Sequence, residues 1–121
     1  MSRSLSISLE GIELRGRCGV TAEERMIGQT LGVNVRLEPA ECRGVQTDEL
    51  DDTVNYGRVA QIVRDVIEGG EFKLLERLGT VISDTIWDEF DLRFLEVSVA
   101  KIAPPTCVPA KAARVEIVRT A

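Results

Sequence analysis

The sequence predicts an α+β domain with the element order ββααββ, in which a four-stranded antiparallel sheet carries both helices on one face. Apolar residues alternate with polar ones in two segments near the start of the chain and in two near its end, which is typical of half-buried strands. The two segments between them repeat apolar residues at helical spacing instead. Strand pairs on either side of two helices favour one sheet with both helices packed on the same side.

The first two strands are separated by a long polar connection. Alternation begins at Leu5 and is interrupted at Gly11, which predicts a bend or a bulge within the first strand. The second strand runs from Leu31 to Leu37 without a break. The segment between them, GRCGVTAEERMIGQ at residues 16–29, is too long for a tight turn, and loops of this length are retained mostly where they have a function.

The helices and the last two strands follow in order. Residues 38–57 form an irregular acidic stretch, in which TDELDD is a solvated run or caps the next helix. One helix has an apolar face over residues 59–67 and ends at EGG, where glycine is expected. A second helix carries an apolar stripe over residues 75–90, and strands follow at residues 95–99 and 115–117.

The predicted sheet has one face that should meet water and two open edges. The face opposite the helices would carry polar residues, namely Arg36, Glu38, Glu96, Ser98, Arg114 and Glu116. Open edges must be covered or paired. Identical chains that pair edge to edge, and so close a ring with a wet inner surface, satisfy both requirements. The aromatic content of only 4% also suggests that neighbouring subunits complete the buried surface.

Composition limits the range of functions. A chain of 121 residues with 44% hydrophobic residues fits a single domain over residues 1–121. The net charge is −5 and basic residues form no run, so binding to nucleic acid, which depends on Lys and Arg at phosphates, is disfavoured. No segment is apolar enough to span a membrane, and MSRSLSISLE lacks a signal-peptide core, so a cytoplasmic location is expected.

No metal or cofactor site is predicted. The chain has no histidine, and its cysteines are widely spaced without a CxxC motif, at Cys18, Cys42 and Cys107. We therefore expect reduced, ordinary cysteines, and a Cys–His nucleophile pair is excluded. The sequence also lacks a glycine-rich loop of the kind that holds a nucleotide phosphate.

Four side chains have the chemistry of an active site, and each also has a simpler explanation. Lys101 follows the third strand on its apolar side, where partial desolvation would make it a better proton acceptor, or it reaches solvent beyond the strand end. Glu76 is a solvated carboxylate favoured by a helix dipole, although Trp87 on the same side suggests a contact with another chain. Glu24 is explained as surface charge, and Tyr56 as a buried ring at the mouth of the first helix.

Four motifs occur in register along nearly the whole chain: GVTAEERMIGQ at 19–29, DDTVNYG at 51–57, LLERL at 74–78 and VAKIAPP at 99–105. With the order ββααββ, they resemble the dihydroneopterin aldolase family of folate biosynthesis. The resemblance implies the tunnelling fold, in which subunits join their sheets into a barrel around a channel. It also implies a homo-oligomer, either a tetramer or an octamer of two stacked rings, with active sites between subunits.

The resemblance assigns binding of a pterin substrate to three residues. The Glu76 carboxylate would accept hydrogen bonds from the 2-amino group and the N3–H of the pterin. These two donors lie side by side, so a carboxylate can bind both at once. Backbone groups at Val54 and Leu75 would complete the pocket. Because the site lies between subunits, Tyr56 and Glu76 are expected to come from different chains.

The resemblance also implies a reaction and its catalytic residues. 7,8-Dihydroneopterin is cleaved by a retro-aldol step into 6-hydroxymethyl-7,8-dihydropterin and glycolaldehyde, with the N5=C6 imine of the substrate as the electron sink. Neither a Schiff base, a metal nor a cofactor is required. Lys101 and Tyr56, with ordered water, would carry the protons, and Glu24 would orient Lys101.

Two alternatives stay open. An epimerase of dihydroneopterin or its triphosphate would share the first half of the reaction, although the acidic balance of the chain does not favour a triphosphate. A non-catalytic pterin-binding oligomer would not need Lys101 or Tyr56. The chain also departs from the family pattern, with Cys18 in place of an aromatic residue or histidine, Ile102 in place of a frequent proline, and Gly79 where alanine is common.

Overall fold

The computed structural model describes residues 3–121. Its elements follow one another in the order β1 (Ile7–Cys18), α1 (Ala22–Ile27), β2 (Gln29–Pro39), α2 (Gly44–Thr47), a 3₁₀ turn (Leu50–Asp52), α3 (Tyr56–Gly69), β3 (Glu71–Phe72), α4 (Leu75–Glu89), β4 (Leu92–Ile102) and β5 (Ala112–Thr120). No helix within residues 3–121 has the length and apolar character needed to cross a membrane. The predicted α+β class is confirmed.

The sheet has five strands in the order β3-β1-β2-β4-β5, so the predicted number of four was too low. The four long strands pair antiparallel, as predicted. The additional strand, β3, is parallel to the end of β1, with Arg17 opposite Glu71 and Cys18 opposite Phe72. Because β3 has only two residues, it shows no alternating pattern from which a strand is predicted.

The connection predicted as a loop at residues 16–29 contains a helix. β1 continues to Cys18, and α1 begins after Thr21, whose side chain and that of Glu24 form a reciprocal capping box. A threonine followed three residues later by glutamate is a sequence signature of a helix start, so this element was predictable. The acidic stretch at residues 38–57 likewise contains α2 and the 3₁₀ turn.

The irregularity predicted at Gly11 of β1, a bend or a bulge, is present. The register between β1 and β2 shifts between Leu9 and Ile12. Gly11 has a φ of 71°, a left-handed conformation that glycine adopts at little cost, and its N–H donates to Asn34 Oδ1 at 2.8 Å. Leu9 and Ile12 both lie opposite buried β2 residues, so the bulge keeps apolar side chains on the helix side of the sheet along the whole strand.

The hydrophobic core lies between the sheet and the two long helices. Each helix turns one apolar face inward, with the buried side chains Val59, Ile62, Val63 and Ile67 on α3 and Leu75, Leu78, Ile82 and Ile86 on α4. The helices run antiparallel, because Arg58 in the first turn of α3 donates two hydrogen bonds of 2.7 Å to Glu89, the last residue of α4. The apolar faces are those predicted from the helical spacing.

The face of the sheet opposite the helices is polar but not uniformly wet. Its charged residues are exposed or half-buried, and they are Arg36, Glu38, Glu96, Arg114 and Glu116. Ser98 on the same face is buried, and its hydroxyl accepts a hydrogen bond of 2.7 Å from Arg114 Nη1. The prediction that Ser98 meets water was wrong, because the arginine side chain reaches across to it.

Trp87 packs within its own chain. The guanidinium of Arg119 on β5 lies 4.8 Å from the centre of the indole ring, and Arg119 also bonds Asp84 at 3.1 Å. Ser83, one turn before Trp87, is buried rather than exposed. A partner chain is therefore not needed to explain this tryptophan.

The hydroxyl of Ser83 is buried and has no hydrogen-bond partner within residues 3–121. Because a buried unpaired hydroxyl is unfavourable, we expect Ser83→Ala to raise the free energy of unfolding by about 1 kcal/mol. Denaturant unfolding at a fixed chain concentration measures the change. Ser98→Ala is the matched control, and it should lose stability because that hydroxyl is paired with Arg114. Equal changes in the two variants would contradict this explanation.

Candidate active site

Lys101 lies near the end of β4, opposite the buried Leu31 of β2. Its side chain is only 12% exposed, and its Nζ lies 3.6 Å from Glu24 Oε2. Since β4 continues to Ile102, the lysine is still part of the strand and does not extend freely into solvent. The fold therefore pairs Lys101 with Glu24, although the two residues are far apart in the sequence.

Glu24 is held by its own helix as well as by Lys101. Its Oε1 accepts hydrogen bonds from the backbone N–H and from the hydroxyl of Thr21, both at 3.3 Å, and its N–H donates to Thr21 Oγ1 at 3.2 Å. The Thr21 N–H above all, and also the charge of Lys101, lower the pKa of the Glu24 carboxyl below its usual 4.5. Glu24 is thus a carboxylate at neutral pH.

Cys18 is the buried residue around which these charges lie. Its burial raises the pKa of the thiol, the positive charge of Lys101 lowers it, and the negative charges of Glu24 and Glu76 raise it. Three charged groups from three different elements thus lie near enough to Cys18 for their charges to act on its thiol. No local sequence pattern indicates this neighbourhood, and the sequence identified Cys18 as an ordinary reduced cysteine that departs from the family pattern.

Glu76 lies in the first turn of α4, where the helix dipole favours a carboxylate. The preceding residue, Leu75, is 8% exposed and anchors the start of the helix in the core. Glu76 itself is exposed in the single chain. Its carboxylate is therefore available to a ligand beside the Lys101–Glu24 pair.

Val54 and Tyr56 lie at the other end of the helical layer. Asn55 caps α3 by accepting a hydrogen bond of 2.9 Å from the N–H of Gly57, which makes Tyr56 the first residue of the helix. Tyr56 is 62% exposed, so the interpretation of a buried ring is wrong for the single chain. Val54 is buried and, with Phe90, lines a cavity of about 290 Å³.

The length of α4 separates these two groups of residues. Arg58, beside Tyr56, binds Glu89 at the end of α4, whereas Glu76 lies at its start. At a rise of roughly 1.5 Å per residue, Glu76 and Glu89 are about 20 Å apart along the helix. The candidate residues of one chain therefore fall into two separate groups. We call them the lysine half-site, which comprises Glu24, Leu75, Glu76 and Lys101, and the tyrosine half-site, which comprises Val54 and Tyr56.

Comparison with known proteins identifies relatives of the whole chain. The family described as FolB: Dihydroneopterin aldolase matches residues 7–118. A dihydroneopterin aldolase of Streptococcus pyogenes serotype M3 is 36% identical over 114 residues, which cover 93% of this chain and 96% of that protein.

Solved structures match the fold. The dihydroneopterin aldolase of Burkholderia thailandensis bound to guanine has 26% identity and a TM-score of 0.79, covering 98% of this chain and 92% of that one. The E. coli dihydroneopterin aldolase in complex with neopterin has 21% identity and a TM-score of 0.86, covering 94% of this chain and 97% of that one. The family match extends from β1 into β5, and the solved structures share the fold of these elements. The chain therefore belongs to the dihydroneopterin aldolase family, lyases of folate biosynthesis with the tunnelling-type fold.

Proposed function

We propose that this protein cleaves 7,8-dihydroneopterin into 6-hydroxymethyl-7,8-dihydropterin and glycolaldehyde by a metal-free retro-aldol reaction. The observation that carries the proposal is the Lys101–Glu24 ion pair of 3.6 Å beside Glu76, in a chain of this family. The guanine of the B. thailandensis structure and the neopterin of the E. coli structure present the same amino-pyrimidinone edge, which supports a pterin substrate.

Recognition of the pterin is assigned to the start of α4 and to the segment before α3. The exposed carboxylate of Glu76 accepts hydrogen bonds from the 2-amino group and from N3–H of the pterin, which lie side by side. Leu75 is fixed in the core, so its backbone holds a constant position next to that carboxylate. The backbone at Val54, which is buried too, completes the pocket from the tyrosine half-site.

Cleavage requires a proton to leave the substrate and another to return. The C2′ hydroxyl loses its proton, the C1′–C2′ bond breaks as the C2′ carbonyl forms, and the bonding electrons pass into the N5=C6 imine. Glycolaldehyde leaves, and C1′ of the remaining enol is protonated to give the hydroxymethyl group. In this proposal Lys101 and Tyr56 carry the protons with ordered water, and Glu24 orients the Lys101 side chain.

The two half-sites are proposed to join between neighbouring chains. Within residues 3–121, β5 has one unpaired edge, and β1 is unpaired on its outer side up to Arg17, where β3 begins to pair. Pairing of these edges between copies covers both and closes a ring, so that the tyrosine half-site of one chain meets the lysine half-site of the next. The proposed particle is a cytoplasmic tetramer or octamer in which each chain is one domain over residues 1–121.

Replacing Glu76 by Ala is expected to weaken pterin binding by about 100-fold, because two charge-assisted hydrogen bonds are lost. Fluorescence titration with 6-hydroxymethylpterin measures the Kd. Glu68→Ala, on the exposed surface of α3, is the control and should bind the pterin as tightly as the parent. A Kd for Glu76→Ala within twofold of the parent value would remove Glu76 from the pocket.

Incubation with 7,8-dihydroneopterin tests the activity directly. Release of glycolaldehyde and appearance of the C2′ epimer are followed together, by enzymatic reduction of the aldehyde and by chiral chromatography. Glycolaldehyde release supports the aldolase. Epimer without glycolaldehyde would replace it by the epimerase, and neither product would favour a non-catalytic pterin-binding oligomer.

A further inference from the structure

The two carboxylate oxygens of Glu24 have different partners. Oε2 lies 3.6 Å from Lys101 Nζ, whereas Oε1 accepts the N–H and hydroxyl hydrogen bonds of Thr21. Thr21 Oγ1 also accepts a hydrogen bond from the Glu24 N–H, so the threonine hydroxyl is bonded to both the backbone and the carboxylate of Glu24. The capping box of α1 and the Lys101 ion pair therefore share one side chain.

The segment around Glu24 is also fixed to the rest of the fold. Gly19 is buried against Glu24, and a Cβ at residue 19 would lie 2.4 Å from Glu24 Cβ, so only glycine leaves room for this approach. The guanidinium of Arg25 donates to the carbonyls of Gly19 and Val20 at 3.0 and 3.1 Å and to Glu71 of β3 at 2.9 Å. These contacts hold the backbone of α1 in place, and the N–H and hydroxyl of Thr21 then both bond the Glu24 carboxylate.

We propose that Thr21 is a positioning residue of the active site: its hydroxyl holds one oxygen of Glu24 so that the other stays against Lys101. The inference rests on the retro-aldol activity proposed above. A glutamate side chain has three rotatable bonds, and without the hydroxyl its carboxylate would exchange the inward position for solvated ones. Loss of the cap would also loosen the start of α1, which has only six residues and little helical stability of its own.

The charges around Glu24 agree with this role. The Lys101 ammonium from β4 contacts Glu24, and the charges of Lys101, Glu24 and Glu76 of α4 all act on the Cys18 thiol of β1. The Thr21 bonds and the Lys101 charge both lower the pKa of Glu24. Thr21→Val keeps the backbone N–H, but the carboxylate is then no longer fixed beside it and beside Lys101, so the pKa of Glu24 should rise part of the way towards 4.5.

The kinetic test compares Thr21→Val with Thr21→Ser in the full oligomer. Thr21→Val keeps the size of the side chain but removes the hydroxyl, and it is expected to lower kcat about fivefold to tenfold, as for the loss of a helix cap, with KM within twofold. Thr21→Ser should restore kcat. Thr85→Val removes an exposed hydroxyl that is bonded only within α4, and it controls for an effect of any threonine-to-valine change.

The decisive comparison repeats Thr21→Val in a Glu24→Gln background. If Thr21 acts through Glu24, the substitution lowers kcat in the parent but changes it less than twofold in the Glu24→Gln protein. Equal reductions in both backgrounds would overturn the inference. An unchanged kcat in Thr21→Val, with glycolaldehyde release by the parent intact, would also overturn it and leave the proposed function standing.

A measurement without substrate separates the inference from the activity. The pKa of the Glu24 carboxyl is followed by NMR on protein labelled with ¹³C-glutamate, with the signal assigned by its absence in Glu24→Gln. An increase in Thr21→Val but not in Thr21→Ser supports the positioning role even if the parent releases no glycolaldehyde. The same pKa in parent and Thr21→Val would overturn it.

Discussion

Replacing Lys101 by Ala is expected to lower kcat for glycolaldehyde release by about 10²- to 10⁴-fold, the range found when a group that transfers protons is lost. Binding of the pterin should change little, because in the proposed site its donor edge is bound by Glu76 rather than by the lysine. Steady-state kinetics with 7,8-dihydroneopterin and fluorescence titration with 6-hydroxymethylpterin measure the two quantities separately.

The matched control for this substitution is Lys111→Ala. Lys111 is exposed in the segment between β4 and β5, so its loss removes one positive charge without touching the proposed site. It should retain both kcat and Kd. Parallel losses of binding and rate in Lys101→Ala would assign the lysine to substrate binding and contradict its role in proton transfer.

Mixed oligomers of Tyr56→Phe and Lys101→Ala chains are expected to recover activity that neither variant has alone. Because the two half-sites of one chain lie towards opposite ends of α4, each proposed active site would take its lysine from one subunit and its tyrosine from the next. Random mixing in equal amounts then gives about one quarter of sites with both residues intact. Co-expression with two different tags, tandem purification and measurement of 6-hydroxymethyl-7,8-dihydropterin formation test this.

A second mixture provides the control. Lys101 and Glu76 both belong to the lysine half-site, so chains carrying Lys101→Ala and chains carrying Glu76→Ala cannot complete each other. That mixture should stay near the activity of the separate variants. Recovery there, or none in the Tyr56→Phe mixture, would mean that the half-sites do not meet between subunits.

The long elements of this fold were predictable because each buries one face. A strand or helix of nine or more residues repeats its apolar positions often enough for its period to be recognised, as in β2 and α3. β3 has two residues and no period, so only the pairing in the folded sheet reveals it. The start of α1 was readable from Thr21 and Glu24, but in a polar segment with three glycines it was interpreted as a loop.

The site was less predictable than the fold, because its residues meet through tertiary structure. Nothing local to Lys101 or Glu24 indicates the ion pair that joins them, and their pairing was implied only by family resemblance. The neighbourhood of Cys18 depends on three separate elements and has no sequence signal. The exposure of Tyr56 follows from the helix cap at Asn55, which the prediction of a buried ring did not consider. The cap places Tyr56 at the first position of α3, where its ring is exposed.

The antiparallel arrangement of α3 and α4 has a consequence for assembly. Because it keeps the two half-sites of a chain apart, a bound pterin in the proposed site contacts two subunits at once. A ligand that binds only the assembled form shifts the equilibrium towards it by mass action. Substrate would then hold the ring together, and the activity per chain would fall on dilution sooner in the absence of pterin than in its presence.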